Sequence, residues 1–256
     1  MILTHHINPT LLQVGLFQIR WYGLMYVIGF FASYILMRRF SREGTLKLSY
    51  LEIDSLLFYV FVGLFLGARI FYVFVYNFSL YRHHLLEIVE IWKGGLSFHG
   101  GLLGIVIAGL VFSYRYKIPF WKLGDIFVTC APIGLGFGRI GNFMNGELFG
   151  RATDGHWGVI FPEGGPFPRH PSQLYESLFE GFFLFCLMWF FRKRVKTGQL
   201  SALFLIFYGI FRFFIEYFRE PDVQLGFVFL HFSMGQLLCM LMMIAGGVLY
   251  WQRARV

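Results

Sequence analysis

Seven long apolar segments leave this chain little choice of fold. They lie near residues 21–37, 55–76, 97–114, 121–138, 173–191, 200–218 and 233–251. About 20 mainly apolar residues make a helix long enough to cross the hydrocarbon layer of a membrane. That layer holds no water to satisfy backbone amides and carbonyls, so each segment is expected to be helical. The sequence therefore predicts an all-α polytopic membrane protein with about seven transmembrane helices.

Composition supports a membrane protein and argues against the commonest basic alternative. Only 14% of the residues are charged, whereas soluble domains carry about 25%. The net charge of +8 comes from 22 Lys and Arg residues that are spread between the apolar segments. Nucleic-acid binding requires a clustered basic face, so we do not expect it here. The three cysteines lack metal-site or disulfide spacing and are predicted to be packing residues.

Basic residues predict the orientation, because cytoplasmic loops carry the excess of Lys and Arg. With the N-terminus outside, thirteen Lys and Arg residues fall on the inner side and seven on the outer side, which include Lys93. The prediction is therefore N-out and C-in. The inner residues are Arg38, Arg39, Arg42, Lys47, Arg115, Lys117, Lys122, Arg192, Lys193, Arg194, Lys196, Arg253 and Arg255.

One connection, residues 141–170, is long enough to form a small body outside the membrane. It is rich in glycine, proline and aromatic residues, and its run 157–162 is typical of a short strand that ends at a proline. No internal repeat is visible elsewhere. We therefore predict a single transmembrane domain, 1–256, with an outer cap, 141–170, between the fourth and fifth helices.

The stretch 138–151 is the most unusual part of the chain, because it ends an apolar segment with two arginines, two asparagines and a glutamate. Charge at that depth is costly and indicates function. Glycines such as Gly150 allow the backbone to approach a ligand, and amides beside a guanidinium form an anion site. This stretch is interpreted as a glycine-rich turn that holds a lipid phosphate, with Arg139 and Arg151 as its cations.

A second polar pattern runs along the sixth segment. Tyr208, Arg212 and Glu216 recur every four residues and Arg219 follows, so they share one side of a helix. Arg212 is too deep to face lipid. An Arg212–Glu216 pair that only joins helices is the structural alternative. The arginines of 138–151 add an excess of guanidiniums over carboxylates, which favours an anionic ligand.

Several other polar residues admit both a structural and a functional interpretation. Arg69, inside the second segment, needs either a carboxylate or a phosphate. His99 precedes two glycines and is either a packing residue or a proton acceptor. Tyr22 is either an interfacial anchor or a donor to a substrate oxygen. Glu176 and Glu180 share a helix face, where neutralising the arginines is their conservative role.

Taken together, these motifs resemble those of the bacterial phosphatidylglycerol-prolipoprotein diacylglyceryl transferases. The resemblance covers essentially the whole chain, and the motifs occur in the right order. The segment 152–168 of the cap is shorter than in some members of that family. The matching stretches are 21–26, 97–101, 138–151, 169–176 and 208–222, the last of which ends in Pro221 and Asp222.

The resemblance implies a seven-helix enzyme of the bacterial inner (cytoplasmic) membrane, with a small periplasmic cap and an active site towards the periplasm. Such an enzyme moves diacylglyceryl from phosphatidylglycerol to the lipobox cysteine of a preprolipoprotein. This reaction forms a thioether, releases glycerol phosphate and is the first step of lipoprotein maturation. The nucleophile is the substrate's thiol, and neither a cofactor nor a metal ion is expected.

The resemblance also implies roles for individual residues. The expected catalytic residues are His99 as the base, Arg139 and Arg212 at the leaving phosphate, and Tyr22 and Tyr208 to orient the lipid. The expected phosphatidylglycerol-binding residues are Arg139, Asn142, Glu147, Gly150, Arg69, Arg151 and Glu216.

Two other classes of protein could also use buried arginines or close-packed glycines. A lipid or anion transporter would be expected to show repeat symmetry and broken helices, which the sequence lacks. A non-catalytic scaffold would account for the glycines and aromatic residues, but it leaves the polar stripe of the sixth segment unexplained.

Overall fold

The structure is a computed structural model that describes residues 1–15, 17–90, 92, 94–220, 227–229 and 232–255. In this part of the chain, six helices are long and apolar enough to cross a membrane, and a shorter apolar helix covers Gln199–Ile215. Every apolar segment identified in the sequence is helical. The prediction of an all-α, multi-pass membrane protein is confirmed. Lys93, Pro221 and Asp222 lie outside the described residues.

The helices begin and end close to the predicted apolar segments. A π-helical turn, Tyr72–Tyr76, continues the helix that ends at Phe71. A second π-helical stretch, Ser177–Phe183, joins the helix that ends at Glu176 to the helix that begins at Leu184. A 3₁₀ turn covers Leu85–Val89. The helices are α1 Trp21–Arg42, α2 Tyr50–Phe71, α3 Phe78–Tyr81, α4 Phe98–Tyr116, α5 Phe120–Asn145, α6 Ser172–Glu176, α7 Leu184–Phe191, α8 Gln199–Ile215 and α9 Met234–Ala254.

The strands are short and pair in three two-stranded sheets. β1 (Ile2–Thr4) lies parallel to β4 (Gly158–Ile160), and the amide of His5 donates to the carbonyl of Ile160 at 2.9 Å. This pairing confirms the strand predicted within 157–162. The remaining pairs are antiparallel: β2 (Thr10–Val14) with β3 (Phe17–Arg20), and β5 (Phe227–Phe229) with β6 (Phe232–Ser233).

The chain divides into two compact units, each with its own packing. Residues 1–37 and 124–256 form the first unit, and residues 38–123 form the second. The first unit contains most of α1 and of α5, together with α6 to α9. The second unit contains α2, α3 and α4.

Glycines bring α2 and α4 into close contact in the second unit. A Cβ on Gly63 would lie 2.5 Å from the carbonyl oxygen of Gly104 and 2.7 Å from the Cβ of Ala108. Small residues let helix backbones approach where lipid provides no hydrophobic driving force. Gly67, one turn further along α2, makes the same kind of contact, since a Cβ there would lie 2.8 Å from the Cα of Gly104.

Glycines also allow close helix contacts at several places in the first unit. A Cβ on Gly181 would lie 2.6 Å from the Cα of Gly136, so α5 touches the π-helical stretch between α6 and α7. A Cβ on Gly29 would lie 3.3 Å from the Cα of Gly134, which brings α1 against α5.

On α9, Cys239 is buried as predicted, whereas Cys186 on α7 is exposed, so its prediction as a packing residue is wrong.

Helix α5 corrects the interpretation of 138–151 as a turn throughout. It continues to Asn145, so Arg139 and Asn142 are helical residues. Arg139 is paired with Glu176, which offsets the cost of placing its charge in a helix of this depth. Gly141 allows α5 to contact α1, since a Cβ on Gly141 would lie 3.0 Å from the side chain of Tyr22. Glycine does not end a helix where neighbouring helices need its small size. The turn itself starts at Gly146, whose φ is +70°.

Substitution of Gly104 by alanine should destabilise the pairing of α2 with α4. Its Cβ would collide with the carbonyl of Gly63, and overpacking of this kind costs about 1–3 kcal/mol. Gly247→Ala is the matched control, because its Cβ would have no heavy atom within 4 Å. Thermal unfolding in detergent should show a lower midpoint for Gly104→Ala and no decrease for Gly247→Ala. Equal midpoints for the two variants would contradict the close contact.

Candidate functional site

An ion-pair network of three arginines and three glutamates occupies the first unit. At its centre lies Glu176, the last residue of α6. Its Oε2 is 2.7 Å from Nε of Arg139 and 2.9 Å from Nη1 of Arg212, and its Oε1 is 2.8 Å from Nη1 of Arg219. The network therefore joins α5, α6 and α8 through a single carboxylate.

Two further carboxylates complete the network. Oε1 of Glu180 lies 3.5 Å from Nη1 of Arg212. Oε2 of Glu216 lies 3.2 Å from Nε of Arg212 and 3.6 Å from Nε of Arg219, while the hydroxyl of Ser233 donates to its Oε1. The pair of Arg212 with Glu216 predicted from the sequence thus exists, but it is one part of a larger assembly.

Among the described residues, this network contains as many glutamates as arginines, which the sequence argument did not anticipate. Arg139, Arg212 and Arg219 are matched by three carboxylates, with Glu176 and Glu180 supplied by the segment that follows Pro171. The spacing of these two glutamates is visible in the sequence. Their contact with arginines of other helices is tertiary, so only the structure reveals it.

The arginines and the glutamates of this network differ in exposure. The side chains of Arg139, Arg212 and Arg219 are 21%, 16% and 17% exposed, whereas those of Glu176 and Glu180 are 0% exposed. Glu216 is intermediate at 10%. The arginine side chains are therefore the more exposed partners in each pair. Such an arrangement can receive an anion through charge-assisted hydrogen bonds.

The turn after α5 is connected to the network through Asn142. Its Oδ1 accepts a long hydrogen bond, 3.5 Å, from Nη1 of Arg139, and its Nδ2 donates to Oε1 of Glu147 at 3.0 Å. Asn145 donates to the same Glu147 oxygen at 3.2 Å, and Gln173 donates to the Glu147 carbonyl at 2.6 Å. Asn142 and Glu147 thus lie where they can hold the turn beside Arg139.

Gly150 and Arg151 pack against the chain segment that follows α8. The amide of Gly150 donates to the carbonyl of His170 at 2.8 Å, and the amide of Arg151 donates to the carbonyl of Phe218 at 2.9 Å. Nε of Arg151 also donates to the carbonyl of Arg219 at 2.6 Å. A Cβ on Gly150 would lie 2.9 Å from the His170 carbonyl, so glycine permits this close backbone contact.

His170 lies beside this contact, just before α6. Its Nδ1 is 3.3 Å from the hydroxyl of Tyr175, and its ring packs edge-on against Phe218. Burial lowers the pKa of His170, while the charge of Asp154 opposes this shift. The neutral imidazole is therefore favoured in the folded protein.

The two tyrosines of the predicted site lie in the same unit as the network. The hydroxyl of Tyr22 is 3.0 Å from that of Tyr26, one turn along α1. Tyr208 lies one turn before Arg212 on α8, with its ring stacked on Phe204 at 5.8 Å. The structure thus groups Tyr22 and Tyr208 with nearly all of the predicted arginines, asparagine and glutamates.

The other two predicted site residues, Arg69 and His99, belong to the second unit. Nδ1 of His99 lies 3.1 Å from the hydroxyl of Tyr76, and its side chain is exposed near the start of α4. The guanidinium of the buried Arg69 donates to four backbone carbonyls. Its partners are therefore neither the carboxylate nor the phosphate that the sequence suggested. Those carbonyls belong to Glu87, Ile88, Gly94 and Gly95, at 2.6, 2.8, 2.8 and 3.0 Å.

The fold and the site together define a multi-pass helical membrane protein with an arginine–glutamate network among its helices. The family model for prolipoprotein diacylglyceryl transferase matches residues 9–252. The chain belongs to this family.

Three similar proteins bear the name phosphatidylglycerol–prolipoprotein diacylglyceryl transferase. The protein from Photobacterium profundum is 51% identical over 245 residues, which cover 95% of this chain and 92% of that protein. The protein from Desulfotalea psychrophila is 48% identical over 254 residues, which cover 96% and 93%. The protein from Geobacter sulfurreducens is 48% identical over 242 residues, which cover 94% and 93%.

Removal of Arg212 should destabilise the first unit strongly. Arg212→Ala removes the 3.5 Å contact of Glu180 and leaves Glu216 only its 3.6 Å arginine contact, with Arg219, and breaking a buried pair in this way costs about 3–5 kcal/mol. Arg39→Ala is the control, because the Arg39 side chain is 60% exposed and such pairs contribute about 0–1 kcal/mol. Unfolding in detergent measures both; similar losses in the two variants would contradict the network's role.

Proposed function

We propose that this protein transfers the diacylglyceryl group of phosphatidylglycerol to the cysteine thiol of a prolipoprotein, as the first step of bacterial lipoprotein maturation. The acceptor is the lipobox cysteine of the signal peptide. The protein acts in the inner membrane with its site towards the periplasm, an orientation supported by the excess of basic residues on the opposite side. The observation that carries the proposal is the ion-pair network in which three partly exposed arginine side chains are held by the fully buried carboxylate of Glu176.

The chemistry of this transfer calls for such a cationic surface. The thiol sulfur bonds to the terminal carbon of the diacylglyceryl group, and the bond between that carbon and a phosphate oxygen breaks. The electron pair stays on the oxygen, so glycerol phosphate leaves with more negative charge than the phosphodiester carried, and the thiol proton passes to a base. Donors fixed in advance at the place where charge develops are a major source of catalysis.

In our proposal Arg139 and Arg212 bind the phosphate and stabilise the charge of the leaving group. Both are held by Glu176 on the buried side, which leaves their outward nitrogens in place for phosphate oxygens. Asn142 and Glu147 hold the turn beside Arg139, and Tyr22 and Tyr208 orient the lipid. Glu216 and Arg151 support the arginines, while Gly150 keeps the segment around Arg219 close.

His99 is proposed to accept the thiol proton. When its Nδ1–H donates to the hydroxyl oxygen of Tyr76, 3.1 Å away, the lone pair of Nε2 is available as the base.

Arg69 is better assigned to structure than to a phosphate contact. Four backbone carbonyls accept hydrogen bonds from its guanidinium, and the neighbouring Ala68 carbonyl accepts from the amide of Ser97. Ser97 is the N-cap of α4. Arg69 therefore holds the connection that leads to the start of the helix on which His99 lies.

Mass spectrometry of a lipobox peptide tests the proposed reaction. The purified protein is incubated in detergent with the peptide and with phosphatidylglycerol or phosphatidylethanolamine as the sole lipid. We expect a diacylglyceryl adduct with phosphatidylglycerol only, and none on a peptide in which serine replaces the cysteine. Folded protein that yields no adduct with phosphatidylglycerol would contradict the proposal, and lipid counter-flow in liposomes would then test transport.

Two variants separate the arginine role from the base role. Arg139→Ala should lower turnover by about 10²–10³-fold, as the loss of a charge-stabilising donor does. His99→Asn should lower turnover at neutral pH by about 10²–10⁴-fold. Because a free thiol has a pKa of about 8.5, raising the pH to 9 supplies thiolate and should restore much of the His99→Asn activity. Arg139→Ala should not recover, and an unchanged rate in either variant would remove its assigned role.

A further inference from the structure

Glu176 has contacts that charge neutralisation alone does not require. Its side chain is 0% exposed, and both of its oxygens are used by arginines. Oε2 accepts from Arg139 of α5 and Arg212 of α8 together, while Oε1 accepts from Arg219, beyond the end of α8. One rigid carboxylate thus sets the relative places of three guanidiniums that come from two different parts of the chain.

Two of these guanidiniums are held side by side against their mutual repulsion. Nε of Arg139 and Nη1 of Arg212 lie within hydrogen-bond distance of the same oxygen atom. Like charges at such separation repel, so without the shared acceptor these two side chains would move apart. A bidentate hold on phosphate needs donors at fixed positions, which the shared oxygen provides.

Glu180 offers an internal comparison, since it is the same type of residue with the same burial. It lies one turn after Glu176, its side chain is also 0% exposed, and its Oε1 is 3.5 Å from Arg212. This contact is longer than those of Glu176. Replacement of either glutamate by glutamine is the same isosteric change, but replacement of Glu176 releases a different set of contacts.

We propose that Glu176 is a positioning residue, which holds Arg139, Arg212 and Arg219 in the arrangement that meets the leaving phosphate. This inference rests on the proposed function and adds a residue to it. Glu176 lies behind the guanidiniums and does not touch the substrate, so it acts through them. A misplacement of about 1 Å in a catalytic group can cost about 10²-fold in rate, which is the scale expected for its loss.

For Glu176→Gln the proposal predicts a lower kcat without a lower affinity for glycerol phosphate. Glu176→Gln keeps the size of the side chain and raises the net charge of the network by one, so glycerol phosphate should bind at least as tightly as to the wild type. Its guanidiniums are no longer held together, so kcat should fall about 10²-fold or more. Glu180→Gln is the same isosteric change and leaves the three contacts of Glu176 in place, so its kcat should fall less than about tenfold.

The experiment measures kcat and KM for phosphatidylglycerol in the adduct assay, and glycerol phosphate binding by calorimetry, for the wild type, Glu176→Gln and Glu180→Gln. Equal loss of kcat in the two variants would overturn positioning in favour of charge balance. Loss of glycerol phosphate binding together with kcat in folded Glu176→Gln would also overturn it. Where Glu176→Gln does not fold, Glu176→Asp keeps the charge with a shorter reach, and an unchanged kcat in that variant contradicts the proposal.

Failure of the proposed function is distinguishable from failure of this inference. Wild-type protein that forms no adduct contradicts the transferase activity itself. Wild-type protein that forms the adduct establishes the activity, and the two glutamine variants then decide the role of Glu176.

Discussion

The shared carboxylate of Glu176 is the interaction on which the first unit depends. It sits where lipid and close-packed helices exclude water, and three arginines approach it within 2.7–2.9 Å. Buried charges in a membrane protein persist only when they are paired, so the arginines and Glu176 require one another. The glycine contacts between Gly136 and Gly181 bring α5 near enough to the 172–191 segment for this pairing. Packing by small residues and ion pairing are therefore two parts of one arrangement.

A network with balanced charge suits a site that must bind an anion and then release a more highly charged product. A large excess of arginine would hold glycerol phosphate too firmly for turnover. Here three glutamates pair with the arginines, and the arginine side chains are the more exposed partners. The attraction is local and directional, and it is strongest for a ligand that touches the guanidiniums.

Sequence patterns predicted the helices well because each apolar segment has to satisfy its own backbone in lipid. They also located Arg139, Arg212 and Glu216, since charged residues in apolar segments are conspicuous. They failed where the partner is a backbone group or another helix. The carbonyls around Arg69 have no side-chain signature, and the meeting of Glu176 with three arginines depends on helix packing. The glycines from residue 138 onward suggested a turn throughout, whereas Gly141 allows a helix contact within α5 and the turn starts only at Gly146.

The parallel pairing of β1 with β4 places the first residues of the chain in contact with a strand more than 150 positions later. The ring of His5 extends this junction, because its Nε2 lies 2.8 Å from the carbonyl of Phe143 near the end of α5. A purification tag or reporter fused ahead of Met1 would therefore compete for space with the cap and the helix that carries Arg139. Fusions for expression and imaging belong at the opposite terminus, after α9.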